Sequence, residues 1–227
     1  MQRFIIISKK DLITVLAFLL LAYPLYACLE PLVIKAASAS DFIVVTQAVS
    51  SEITISSPAN VTMSAAIPGI TGNPGSPRTG STTWTVKTNN TTGFALALKS
   101  STNPSMQLDG TYNFSDYSPG TGGTPDYSWA SPAASAAEFG YTVEPATTAD
   151  TAALFRDSGV ACNTGALNTA DKCWYNFTTS DVTVVNRSTE TSSSGEAEVV
   201  KFQTESNAKY LKEGNYTATI TATATEN

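Results

Sequence analysis

Not one of the 227 residues is a histidine. That removes imidazole general acid–base catalysis, the Ser-His-Asp and Cys-His nucleophile systems, and most zinc and copper sites. Charge is scarce as well. Asp, Glu, Lys and Arg make up 14% of the chain, where about a quarter is usual for a cytosolic domain. No basic patch offers itself to nucleic acid. The net charge is −6, and the first 39 residues hold four basic residues (Arg3, Lys9, Lys10, Lys35) and two acidic ones (Asp11, Glu30), so the rest of the chain stands at −8. An acidic body with scattered cations argues against phosphate-backbone recognition. Nothing in the chain has the pattern of a cofactor-binding motif, and no run of carboxylates has calcium-loop spacing.

What is there begins with an export signal. Arg3, Lys9 and Lys10 precede an uncharged stretch, Leu12 to Leu29, and small residues follow at Ala36-Ala37-Ser38-Ala39-Ser40. A basic region, an apolar region and an A-x-A-like site at Ala37-Ser38-Ala39 describe a secretory signal peptide spanning residues 1–39. The mature part, residues 40–227, is then a single extracellular domain, secreted or held at the cell surface. Two alternatives stay open. The apolar run is long enough to remain as an uncleaved membrane anchor. Leu25-Tyr26-Ala27-Cys28 also has the outline of a bacterial lipobox, with Cys28 as the lipidated residue.

Only Cys162 and Cys173 lie in the mature part. An even pair in an exported chain reads as a disulfide. The ten residues between them are polar and turn-forming, and neither C-x-x-C spacing nor a histidine is present to suggest a redox or metal pair.

Most of the remainder alternates with period two, the mark of strands with one buried face. The expected strands are Asp41–Val49, Glu52–Ser56, Thr82–Thr88, Phe94–Lys99, Val182–Val185, Val199–Gln203 and Tyr216–Ala224. In the third of these, Trp84 and Val86 share one face, and Thr83, Thr85 and Lys87 the other. Asn89–Gly93 joins two strong strands and predicts a β-hairpin. The architecture that follows is all-β, an antiparallel β-sandwich. The middle differs. Residues 100–180 are rich in Gly, Pro, Ser, Asp and aromatics, with a short helix expected only at Thr147–Phe155, and they read as a long insertion carrying the disulfide. Its aromatics Tyr117, Tyr127, Trp129 and Trp174 are candidate ligand-binding residues; the competing reading is that they cap the open end of the sandwich.

Trp84-Thr85-Val86 resembles the first Trp-x-Leu motif of the W-x-L domains of bacterial cell-wall surface proteins, with Val for Leu. Gly214-Asn215-Tyr216 through Thr221 is similar to the approach to that family's second motif, whose Trp and Leu positions here hold Ala222 and Ala224. Ile53-Thr54-Ile55-Ser56-Ser57-Pro58 is similar too. The likeness covers residues 52–99 and 199–227 and skips the middle. It implies a secreted β-sandwich held noncovalently at the wall, with Trp84 and Val86 as candidate wall-binding residues. Burial of Trp84 between two sheets is the competing reading.

Other patterns are weaker. Sequons begin at Asn60, Asn89, Asn90, Asn113, Asn176, Asn186 and Asn215, as chance produces in a chain rich in Asn, Ser and Thr. Glu138 and Glu144 are the nearest candidates for a two-carboxylate glycosidase. The expectation is a noncatalytic surface protein of structural or adhesive type, with cell-wall polymer or other surface proteins as partners, and membrane contact only through an uncleaved N-terminal segment. The alternative is a carbohydrate-binding module or a carboxylate glycosidase.

Overall fold

The structure is a computed structural model that describes residues 38–227 and, before them, residues 9, 10, 13, 14, 16–18 and 20. Those early residues are helical, and no helix among the described residues is long and apolar enough to cross a membrane. Most of the expected export segment, Cys28 included, lies outside the described residues. The chain divides into residues 1–48 and residues 49–227.

Residues 49–227 are all-β and sandwich-like. The strands are β1 (Ile53–Ile55), β2 (Arg78–Thr88), β3 (Phe94–Ser100), β4 (Met106–Gln107), β5 (Asn113–Asp116), β6 (Ala136–Pro145), β7 (Val182–Arg187), β8 (Glu196–Asn207) and β9 (Ile220–Glu226). One sheet runs β1-β2-β8-β6-β5-β4 and the other β7-β3-β9. All ladders are antiparallel except β5 with β6, which is parallel, a departure from the purely antiparallel expectation.

The alternation expected of β2 is realised. Trp84 is 8% exposed and Val86 is fully buried, while Thr83 on the other face is exposed. Phe94, Leu96 and Leu98 of β3 meet them from the second sheet's side of the core. A stack of rings fills the space beside them. Phe177 lies 4.1 Å from Tyr141 and 5.4 Å from Phe139, centroid to centroid.

Three expectations are corrected. Asn89–Gly93 does not close a hairpin, because β2 and β3 belong to different sheets. Both strands present an apolar face, and stacking those faces across the core buries more than pairing their edges would. The connection is an arch, tightened by Asn90, whose Oδ1 accepts from the Thr92 amide at 3.1 Å. Gly93 completes it at φ 81°, where an added Cβ would come within 2.1 Å of the Arg187 carbonyl oxygen. Second, Asp41–Val49 forms no strand: Phe42, Ile43, Val44, Val45 and Val49 are 79–85% exposed. A β-branched run becomes a strand only when an edge pairs with it. Third, Thr147–Phe155 holds two separate 3₁₀ turns, Thr148–Asp150 and Ala153–Phe155, and no α-helix. The aromatic, Gly- and Ser-rich insertion is present as two long connections, residues 117–135 and 146–181. Between them runs β6, paired with β8 along its whole length.

Candidate functional site

Strand alternation gives β8 two faces. Val200 and Phe202 point into the core, and Lys201, Gln203 and Glu205 point away from it. Register then sets their neighbours. Lys201 sits opposite Ser81 on β2 and Thr142 on β6; Gln203 sits opposite Thr79 and Gly140. An outer sheet face is ordinarily wet. Here the two long connections fold over it.

Gly140 makes that covering fit. A Cβ at this position would lie 2.7 Å from Tyr117 Cβ, 2.8 Å from the Tyr175 carbonyl oxygen and 3.1 Å from Trp129 Cζ3. In the space that glycine leaves, the Trp129 ring stacks on Tyr117 at 4.4 Å, and Trp174 meets it edge-on at 5.5 Å. Each ring's polar atom is engaged. Trp129 Nε1 donates to Glu205 Oε2 at 2.8 Å, and Trp174 Nε1 donates to the Asp171 carbonyl at 3.1 Å. Tyr117 Oη donates to Asp126 Oδ2 at 2.7 Å and accepts from the Ala130 amide at 3.1 Å. Burial, with Asp126 accepting its proton, pushes the Tyr117 phenol well above its ordinary value.

The disulfide holds this covering together. Cys162 and Cys173 are bonded, with Cα atoms 5.6 Å apart. Trp174 follows Cys173 directly and exchanges two backbone hydrogen bonds with Asp126, at 2.9 and 3.0 Å, which ties one long connection to the other.

Between the covering and β2 lies a groove of about 440 Å³, lined by Thr79, Gly80, Ser81, Ser128, Trp129, Asp171, Lys172, Trp174, Lys201 and Gln203. Its charges are mostly spoken for. Lys201 Nζ lies 2.8 Å from Glu144 Oε1 and 2.9 Å from Asp171 Oδ1. Partial burial works against the Lys201 charge, but the bonds to Glu144 and Asp171 outweigh it and raise its pKa. Lys172 Nζ donates to Ser128 Oγ at 3.1 Å and sits 4.8 Å from the centre of the Tyr127 ring. Gln203 differs: it carries no charge, is only 5% exposed, and still lines the groove with its amide.

Of the four candidate aromatics, Tyr117, Trp129 and Trp174 form one cluster, and Tyr127 stands beside it under Lys172. Two of the four line the groove: Trp129, which is half-buried, and Trp174, which is buried. Trp84 and Val86 are elsewhere, on the core face of β2. Ala222 and Ala224 are half-buried on β9 and pack against that core. Glu138 and Glu144 share the outer face of β6 but are six residues apart, about 20 Å along a strand. Two carboxyls acting on one glycosidic bond are about 5–9.5 Å apart. Burial raises the Glu138 pKa, opposed by the Ser118 amide and reinforced by the negative charges of Glu205 and Asp126. The insertion's Asp residues serve turns and pairs, such as Asp157 with the Thr169 amide at 2.7 Å. Among the described residues no three Asp, Glu or Cys side chains converge as a metal cage.

Sequence reading passed over Gln203, Lys201 and Lys172. The signal for the first two was present: alternation along Val199–Gln203 puts both on the face opposite Val200 and Phe202. No family model, curated protein or solved structure matches the chain.

Proposed function

We propose that this chain is an exported, noncatalytic surface protein of structural or adhesive type that uses the outer face of its six-stranded sheet to hold a component of the surface it is displayed on. One observation carries the reading. The covering of that face is tied to it by the bonds of Trp129, Tyr117 and Trp174, yet it stops short of β2 and leaves a polar, aromatic-walled groove lined by Gln203. A covering whose only task was to cap the sheet would aim protein groups at the Gln203 amide rather than leave it open to a groove.

The carboxylates around the groove support a binding role over a catalytic one. Glu205 accepts from the Gly75 amide at 2.5 Å and from Trp129 Nε1. Glu144 accepts from Lys201 and from the Asp171 amide at 2.8 Å. Groups held this way position neighbours rather than exchange protons with a substrate. The disulfide suits an exported protein, and the basic, apolar, small-residue order of residues 1–39 suits the route out. Cell-wall polymer and other surface proteins are the partners in this reading.

The test is a pull-down of the full chain with cell-wall preparations and with intact cells of the native host, with localisation by surface proteolysis. Retention on either surface is the expected result. A chain that stays inside the cell, or that attaches to neither surface, would overturn the reading.

A further inference from the structure

We propose that the groove between β2 and the disulfide-tied covering is a binding site for an uncharged saccharide chain. This rests on the reading of the chain as a noncatalytic surface-binding protein, and it names the ligand class.

The chemistry of the wall argues for it. A sugar ring has an apolar C–H face and an edge of hydroxyls that both donate and accept. Trp129 offers a broad ring, fixed by Tyr117 behind it and Trp174 at its edge, so no ordering is needed when a C–H face settles on it. Gln203 offers a carbonyl oxygen and an NH₂ group side by side. Gln203 lines the groove, and a pair of adjacent sugar hydroxyls can donate to its carbonyl oxygen and accept from its NH₂ group together. The hydroxyls of Thr79, Ser81 and Ser128 line the same space.

Charge narrows the class. Lys201 already faces Glu144 and Asp171, and Lys172 is engaged with Ser128 and the Tyr127 ring. Asp171 is itself a groove residue. Among the described residues that line the groove no cation stands free to draw in a carboxylate or phosphate, so a neutral chain is favoured over a uronate or a nucleotide.

The test uses the full chain with hexamers of glucose, of N-acetylglucosamine and of galacturonic acid, read by calorimetry and by tryptophan fluorescence. The expected result is binding of a neutral hexamer with a change in tryptophan emission. Gln203→Leu and Gln203→Met remove the amide at similar volume; each should keep the melting temperature and weaken binding at least ten-fold. Absence of binding by either neutral hexamer, binding of the uronate alone, or unchanged affinity in both Gln203 variants would overturn the proposal. Wall pull-down with the same variants keeps the two readings apart. Unchanged attachment by Gln203→Leu would overturn the groove as the point of contact, while attachment itself would still mark a surface protein that binds through another face.

Discussion

Glu198 and Glu205 lie seven residues apart on β8, so alternation sends them to opposite faces, and both are buried, at 1% and 0% exposure. On the outer face Glu205 accepts from the Gly75 amide and from Trp129 Nε1. On the core face Glu198 stands opposite Trp84 and Pro145, and neither of its carboxylate oxygens has a hydrogen-bond partner among the described residues. The covered outer face thus treats a carboxylate as a well-built interior does, with donors aimed at it. The core face does not. Burial there, with the negative charges of Glu196 and Asp150 and against the Arg187 cation, pushes the Glu198 pKa up to about 8. A carboxyl that stays protonated near neutral pH avoids most of the cost of an isolated buried charge.

That asymmetry has a pH signature. Between the ordinary carboxyl value of 4.5 and about 8, the folded protein holds a proton on Glu198 that the unfolded chain has released. Stability therefore falls as pH rises through this window, by up to about 1.4 kcal/mol per pH unit and at most roughly 4–5 kcal/mol in all. Below the window both states are protonated and the loss is absent. Urea midpoints across pH 4–9 should show the decline. Glu198→Gln should flatten it and be more stable than the native chain at pH 8–9. Parallel curves for the two proteins would mean that Glu198 finds donors in solution, and the two faces would no longer differ.

Trp84, opposite Glu198 in the ladder, tests the core face by volume. Trp84→Ala should cost about 3–5 kcal/mol, the range for deleting a large buried aromatic. Thermal unfolding measures it. A variant that melts with the native chain and fails to attach to wall preparations would make Trp84 a surface binder and reverse the assignment of faces.

The strands that sequence pattern found are those that alternate visibly: β1, β2, β3, β7, β9 and the Val199–Gln203 stretch of β8. It missed β6 because both faces of that strand are covered. Glu138, Gly140, Thr142 and Glu144 face the long connections rather than water, and the glycine and buried threonine erase the pattern. Asp41–Val49 was misread in the opposite sense, since high β propensity does not supply a partner edge. Clustered aromatics in the insertion pointed to Tyr117, Trp129 and Trp174. Gln203 stayed hidden, because its position in a groove depends on register with Thr79 and on loops that fold back from elsewhere in the chain.

The disulfide sharpens the contrast from the outer side. It closes a short loop under the covering, and replacing both Cys162 and Cys173 by Ala should cost about 2–3 kcal/mol in the chain-entropy account. The loss should fall on the covering, since Trp174 and Lys172 adjoin Cys173. Tryptophan emission should shift to the red at temperatures where the β-sheet circular dichroism is still native. Simultaneous loss of both signals would show that the covering is part of the core's cooperative unit.

The smallest expected effect belongs to Lys201, and it decides how wet the groove is. Lys201 bridges Glu144 and Asp171, and the three side chains are 26%, 21% and 66% exposed. Pairs reached by solvent contribute roughly 0–1 kcal/mol, because water screens the attraction and ordering long side chains opposes it. Lys201→Met keeps the aliphatic stem against the sheet and removes only the charge. It leaves Glu144 and Asp171 near one another, although the Asp171 amide still donates to Glu144. The expected loss is therefore at most about 1 kcal/mol at low salt. It should shrink toward zero at 1 M salt, where the screening length is about 3 Å. Urea unfolding of both proteins at the two ionic strengths measures it. A loss of about 3 kcal/mol or more that salt does not change would mean that Lys201 is as desolvated as Glu205, as expected when one partner of a buried pair is deleted. The outer face would then be sealed interior from Glu205 to Ser81, with no water-filled groove for a ligand to enter.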